Sequence, residues 1–304
     1  MIYPKRLKPG DTIGLVAPCS GVPSERAEKC LKLLEDMGFR VKAADNFAAS
    51  KGGYMAGEEE ARGRWLNEMF ADKEVDAVFC LRGGDGGNRI VEFLDLDVVR
   101  NNRKIFAGYS DITTMHLIFN QECDLITYHA PMVSSNMLEH FDEESKAAFF
   151  EALSGEGEYE YKAPAGMPLK VARAGRASGI LTGGNLCVMC ASLGTPYEME
   201  TKGRILFIEE IGGHIGNMDR NLYQLKNAGK LDEISGILLG QFTDCELEDE
   251  NYGIVEAVLD AVKGLDIPVM YNVQSGHGFP MITLPMGAMC EMDTERRTIK
   301  WTEK

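Results

Sequence analysis

Ser110 stands in the setting that a nucleophile needs. It joins KIFAGY (104–109), an apolar run of strand type, to DITTMHLIF (111–119), a run of helix type. A sharp strand-to-helix turn lifts a serine Oγ above the sheet and aims it at a substrate. Gly108, two residues upstream, suits the crowding of such a turn, whereas Ile112 stands where the G-x-S-x-G pattern has its second glycine. The same hydroxyl could simply cap the helix that follows, so the motif by itself leaves both roles open.

A second element of possible chemistry is RGGDGG (82–87), which follows the strand-like VDAVFCL (75–81). Ligands of open α/β sheets bind at the carboxyl edge of the strands, and glycines there let backbone N–H groups approach developing negative charge. The segment has neither the Rossmann G-x-G-x-x-G spacing nor the Lys-Ser/Thr of a P-loop. Glycine-rich βα turns also serve as plain connections.

A serine nucleophile needs a base, and five histidines are available: His116, His129, His140, His214 and His277. His116 falls within the helix after Ser110, and His140 in the polar stretch MLEHFDEES. His129 ends a strand and could wall the site. His214 in GGHIG and His277 in SGHGF both occupy glycine-rich turns, where an imidazole is free to face a cleft, and residue chemistry does not separate them. A carboxylate that accepts the imidazole's other N–H fixes its tautomer. RILFIEE (204–210) ends in two candidates for that role, Glu209 and Glu210.

The eight cysteines are scattered through apolar segments, against a disulfide framework. Cys30 and Cys80 read as small core residues. Cys187 and Cys190 form a C-x-x-C in LCVMCASLG that reads as one face of a buried helix, with no second Cys or His pair to complete a metal site.

The elements that would position these residues alternate in βα fashion through the first half. TIGLVAP (12–18) reads as a buried strand. Ser24 is expected to cap a helix whose Ala27, Cys30, Leu31, Leu34 and Met37 share a face, and Gly38 to end it. Residues 58–71 read as a helix, 75–81 as a strand, and a further helix is expected from Asn88. Strands at 104–109 and 125–130 and a helix at 143–153 complete this half. The pattern breaks in SGEGEYEYKAPAGMPLK (154–170), rich in Gly, Pro and charge. The expected organisation is an α/β protein. Residues 1–155 would form an N-terminal domain with a mostly parallel, doubly wound sheet, and residues 156–170 a linker. Residues 171–304 would form a smaller mixed α/β domain with substantial sheet, built from RILFIEE, GILLGQF, IPVMYNV, the alternating tail AMCEMDTERRTIKWT, and helices near 218–228 and 253–263.

At 304 residues the chain is long enough for two cores, and 44% apolar with 26% charged residues is ordinary for a globular protein. A formal net charge of −15 argues against a nucleic-acid partner, since phosphate-backbone binding needs a basic stripe. The short apolar run before Pro18 does not make a signal peptide, and no stretch approaches the ~18 apolar residues of a membrane helix. A cytoplasmic address is therefore expected, with no membrane association.

Taken in order, a series of segments resembles one family across nearly the whole chain. They are VAPCS (16–20), LNEMFADKEVDAVFCLRGGDGG (66–87), FAGYSDIT (106–113), YHAPM (128–132), GILTGGNL (179–186), GTPYEM (194–199), ILFIEEIG (205–212), MDRNLYQLKNAG (218–229), GILLGQF (236–242) and SGHG (275–278). The sequence resembles the LD-carboxypeptidases, or muramoyl-tetrapeptide carboxypeptidases, which include relatives conferring self-immunity to microcin-C-type antibiotics. The resemblance implies a Ser-Glu-His triad, which falls on Ser110, Glu209 and His277, and oxyanion donors at the backbone N–H groups of Gly84 and Asp111. It implies hydrolysis of the amide bond before the terminal D-Ala of a murein tetrapeptide, no metal or organic cofactor, and a homodimer. Arg82 and Arg89 become candidates for the substrate's terminal carboxylate, and His129 for the wall of the site. The alternatives are a hydrolase of peptides joined to nucleotides and a non-catalytic peptide-binding protein. The likeness breaks at Asp85, where relatives commonly have tyrosine; a carboxylate there would disfavour a substrate carboxylate or favour an amine.

Overall fold

The computed structural model describes residues 1–155 and 157–302. Residue 156, at the start of the expected linker, and residues 303–304, at the end of the expected second domain, lie outside the described residues. Two sheets organise the chain. Strands β1 (Thr12–Val16), β2 (Arg40–Ala43), β3 (Ala77–Cys80), β4 (Ile105–Gly108) and β5 (Thr127–His129), with the distant β12 (Leu284–Met286), form the first in the order β12-β5-β4-β3-β1-β2. All its pairings are parallel except that of β12 with β5. Every residue of β1, β3 and β4 is buried, and near-continuous apolar runs are what a parallel sheet covered on both faces requires.

The second sheet is the larger in strand number. It holds β6 (Tyr159–Glu160), β7 (Lys170–Arg173), β8 (Arg176–Asn185), β9 (Ile205–Ile211), β10 (Gly236–Thr243), β11 (Val269–Tyr271), β13 (Met289–Asp293) and β14 (Thr298–Thr302), in the order β6-β14-β13-β8-β9-β10-β11-β7. Its centre, β8 to β11, is parallel, and its flanks are antiparallel. The segment expected as a linker thus contributes β6, and the Tyr161 hydroxyl accepts the Gln274 N–H at 2.7 Å. Among the described residues no helix is long and apolar enough to cross a membrane.

Helices cover the sheets through narrow apolar stripes. The helix Ser24–Asp36 buries Ala27, Cys30 and Leu34, and Glu59–Ala71 buries Leu66, Met69 and Phe70. Ser24 does not cap its helix. Pro23 holds the cap position with φ −55°, and no side chain closes the turn, because Ser24 has already entered the helix. The helix expected from Asn88 is a 3-10 turn over Gly87–Phe93 followed by the short α-helix Leu96–Asn101.

This topology puts three loops on one edge. With strand order 2-1-3-4-5, the crevice opens beyond the carboxyl ends of the strands, near the point where the order reverses. The turns after β1, β3 and β4 meet there, and Arg62 ties two of them. Its guanidinium is buried at 1% exposure, and its Nη1 donates to Pro18 O at 2.5 Å and Gly86 O at 2.9 Å. Arg62→Met would take the guanidinium donor from Pro18 O and leave Gly86 O with only the Arg89 N–H, so a loss of about 2–3 kcal/mol is expected in urea unfolding. An unchanged midpoint would contradict the role assigned to this side chain.

Candidate active site

The turn after β4 is strained where chemistry would use it. Ser110 adopts φ +67°, a left-handed conformation that costs an L-residue roughly 1–2 kcal/mol. Gly108 is needed beneath it, since a Cβ there would lie 3.0 Å from Cys80 Cβ and 3.1 Å from Ile112. Ser110 opens a 3-10 turn, Ser110–Ile112, ahead of the helix Thr113–Cys123, and neither element has a side-chain cap. The hydroxyl is therefore not spent on helix capping. It lies 3.0 Å from His277 Nε2 instead.

His277 Nδ1 lies 2.7 Å from Glu209 Oε2. With Nδ1–H donating to the carboxylate, Nε2 is left to accept the Ser110 proton. The imidazole is braced from several sides. The Tyr109 ring meets it edge-on with centroids 4.8 Å apart, and burial pushes the Tyr109 phenol up to about 12, so it stays neutral. In the histidine loop, Gly278 N–H donates to Gln241 Oε1 at 2.8 Å, and Gln241 Nε2 donates to Pro280 O at 3.1 Å. Gly276, at φ +140°, passes so close to the carboxylate that a Cβ would stand 3.1 Å from Glu209 Oε2. The loop itself leads from β11 in the second sheet towards β12 in the first.

The two glutamates near the end of β9 have different work because successive strand residues face opposite sides. Glu209 is fully buried, and burial raises its carboxyl above the ordinary value against the opposing pull of His277. Glu210 faces the helix Leu186–Ala191. It accepts from Asn185 Nδ2 at 2.8 Å, Cys187 N–H at 2.9 Å and Ile211 N–H at 2.9 Å.

The turn after β3 lies against the nucleophile. A Cβ on Gly83 would fall 2.8 Å from Ser110 Cβ and 3.1 Å from its Oγ. Gly84, at φ +107°, is pressed so closely on Ser20 that a Cβ would sit 2.1 Å from the Ser20 Oγ. Asp85 N–H donates to that same Oγ at 3.2 Å, and Gly87 N–H donates to Asp111 Oδ2 at 2.6 Å. The loop is thereby fixed by one residue after β1 and one after β4. Burial also pushes the Asp111 carboxyl above its usual range. A cleft of about 280 Å³ opens here, lined by Gly84, Asp85, Ser110, Asp111, Asn185 and Glu210 among others.

Several expectations are corrected. His129 is no wall of the cleft: it is 0% exposed, enclosed by the rings of Tyr109, His116 and Phe207, and burial lowers its pKa well below the ordinary histidine value. Arg89 is held by Glu59, with Nη2 2.6 Å from Oε1, and neither it nor Arg82 lines the cleft. The C-x-x-C is not a buried face, because Cys187 is exposed and lines the cleft while Cys190 is half-buried with its thiol donating to Asn221 O. His214 sits exposed at the start of the helix Ile215–Asn227, where its Nδ1 accepts Gly216 N–H at 3.2 Å. His116 is bound to Thr127 and Gly108, and burial lowers it to about 4. Residue reasoning missed Ser20, Arg62, Tyr109, Asn185 and Gln241, whose roles depend on contacts between distant loops. Among the described residues no group of three or more His, Cys, Asp or Glu side chains is placed to hold a metal ion.

Two family models match the chain: the LD-carboxypeptidase N-terminal domain over residues 13–130 and the LD-carboxypeptidase C-terminal domain over residues 178–292. The probable murein peptide carboxypeptidase of Bacillus subtilis is 37% identical over 298 residues, 97% of this chain and 92% of the relative. Among solved structures, the wild-type apo state of the microcin C7 self-immunity protein MccF superposes with a TM-score of 0.93 at 25% identity, covering 100% of this chain and 99% of that one. Muramoyltetrapeptide carboxypeptidase from Oxalobacter formigenes gives a TM-score of 0.83 at 26% identity, covering 95% and 97%.

Proposed function

The chain belongs to the LD-carboxypeptidase family, and from that premise we propose that it hydrolyses the amide bond between an L-centre and the terminal D-Ala of a murein tetrapeptide. The observation that carries the proposal is the hydrogen-bonded series Ser110 Oγ, His277 and Glu209, at 3.0 and 2.7 Å. The name of the Bacillus subtilis relative, a probable murein peptide carboxypeptidase, supports the substrate class.

In this reading His277 Nε2 takes the Ser110 proton as Oγ attacks the amide carbonyl, and Glu209 holds and stabilises the imidazolium. The N–H groups of Gly84 and Asp111 receive the negative charge that develops on the carbonyl oxygen, a contribution of about 10²–10³ in rate per donor. His277 then returns the proton to the leaving D-Ala nitrogen, and water clears the acyl-enzyme by the same base. The nucleophile comes from residues 1–155 and the other two members from 171–304, so the site is shared by two domains. The working form would be a cytoplasmic homodimer acting in cell-wall recycling.

The higher TM-score with MccF than with the muramoyltetrapeptide carboxypeptidase keeps a second reading, a hydrolase of amides joined to a nucleotide. Incubation with a murein tetrapeptide and, separately, an aminoacyl-nucleotide mimic decides between them. Release of D-Ala with the larger kcat/KM is expected, and a larger value for the nucleotide would overturn the main reading. Labelling of wild type, and not of Ser110→Ala, by a fluorophosphonate is also expected; its absence would favour a binding protein without catalysis.

A further inference from the structure

The cleft at Ser110 is acidic, with Asp85, Asp111 and Glu210 among its lining residues and no lysine or arginine. Two of these carboxylates already have partners. Asp111 accepts the Gly87 N–H, and Glu210 accepts two backbone N–H groups and the Asn185 amide. Asp85 is different. Its side chain is exposed and, among the described residues, forms no ion pair or side-chain hydrogen bond. Its backbone is nevertheless fixed, by the bond from its N–H to Ser20 Oγ at 3.2 Å and by flanking Gly84 and Gly86 at φ +107° and +89°. The result is an unpaired negative charge held in place on the wall of the nucleophile's cleft.

We propose that Asp85 is a specificity-determining residue that selects peptides whose residue on the acyl side of the scissile bond carries a side-chain ammonium without an adjoining carboxylate, as lysine and ornithine do. The inference rests on the peptidase reading above. In that reaction the departing residue carries the terminal carboxylate, which a cleft with three carboxylates and no cation repels. The cleft therefore takes the side chain of the acyl residue. An ammonium entering it gains a charge-assisted bond to Asp85, whereas an apolar chain gains none. A zwitterionic side chain such as that of diaminopimelate brings a second carboxylate against Asp85 and Glu210.

The test compares three tetrapeptides that differ only at the third residue: lysine, norleucine, which is its counterpart without the amine, and diaminopimelate. Wild type should favour lysine over norleucine by about fivefold to tenfold in kcat/KM, a modest range because Asp85 is solvated. Diaminopimelate should fall below lysine. In Asp85→Asn, which keeps the side-chain shape and removes the charge, the lysine-to-norleucine ratio should fall to near one. A wild-type ratio near one, or a ratio that survives Asp85→Asn, overturns the inference. If no peptide is cleaved, the peptidase reading fails, and the role of Asp85 is then decided by calorimetry, with the same peptides bound to Ser110→Ala and to Ser110→Ala with Asp85→Asn. Lysine-selective binding lost with the charge upholds the inference, and unselective binding overturns it.

Discussion

Ser110→Ala is expected to lower kcat by about 10⁴–10⁶-fold while substrate affinity changes only a few-fold. The Oγ lies 3.0 Å from His277 Nε2 and caps no helix, so its removal takes away the nucleophile and little else. The backbone supplies an independent check. At φ +67° alanine bears the same strain as serine, so the urea midpoint of Ser110→Ala should match wild type. Glycine avoids a steric cost of about 1–2 kcal/mol, and its larger unfolded-state entropy returns roughly 0.5–1 kcal/mol of that. Ser110→Gly should therefore be as inactive as Ser110→Ala yet at least as stable as wild type, with a gain of up to about 1.5 kcal/mol from the balance of those two terms. Retained turnover in the alanine variant would remove Ser110 from the chemistry. A glycine variant less stable than wild type would show that the turn is not a place where stability is given up for function.

How far the sequence reveals this site depends on whether a cue is local. β1, β3 and β4 are legible because a strand buried on both faces must be apolar throughout, and the strand-to-helix setting of Ser110 is legible because it lies within one turn. Glu209 and Glu210 are not separable locally. Which of them faces the histidine follows from the register of β9 between β8 and β10, in which Asn185 pairs with Glu209 and Phe242 with Glu210. His277 and His214 occupy similar glycine turns, and only the return of the chain through β12 to β5, with Leu284 opposite His129, distinguishes them. That strand is three residues long and contains Pro285, which is tolerated there because β12 is an edge strand. His129 misleads because in a sheet covered on both sides either face of a strand end is interior. Cys187 misleads because the six-residue helix Leu186–Ala191 is too short for periodicity to mark its exposed side. The family resemblance chose Glu209 and His277 where local chemistry left ties, and these are the residues found within hydrogen-bonding distance in series with Ser110.

Glu209→Gln should separate catalysis from stability more sharply than any other change at the site. The amide keeps the shape and can still accept from His277 Nδ1, but it cannot stabilise an imidazolium by charge, and it can present its NH₂ and favour the wrong tautomer. A fall in kcat of about 10³–10⁴-fold is expected, and an undiminished rate would exclude the carboxylate from the mechanism. Stability should move the other way. Burial raises the Glu209 carboxyl above its ordinary value of 4.5, with the His277 bond opposing the shift, so the folded state holds this proton more tightly than the unfolded state. The group's favourable contribution is complete below the unfolded value and is lost as pH rises through the folded one. Once pH exceeds the folded value, wild type carries an ionised, fully buried carboxylate whose cost the glutamine variant lacks. The variant's advantage in denaturant should therefore grow as pH rises from 4.5 through the folded value, and shrink as pH falls back towards 4.5 and the wild-type carboxyl regains its proton. His116 and His129 are buried in both proteins, and their protonation in acid weakens each alike, so the comparison is made between variants at each pH. A glutamine variant less stable than wild type at pH 7 would mean that the attraction between Glu209 and His277 outweighs the burial of the charge, and that the site is assembled without loss of stability.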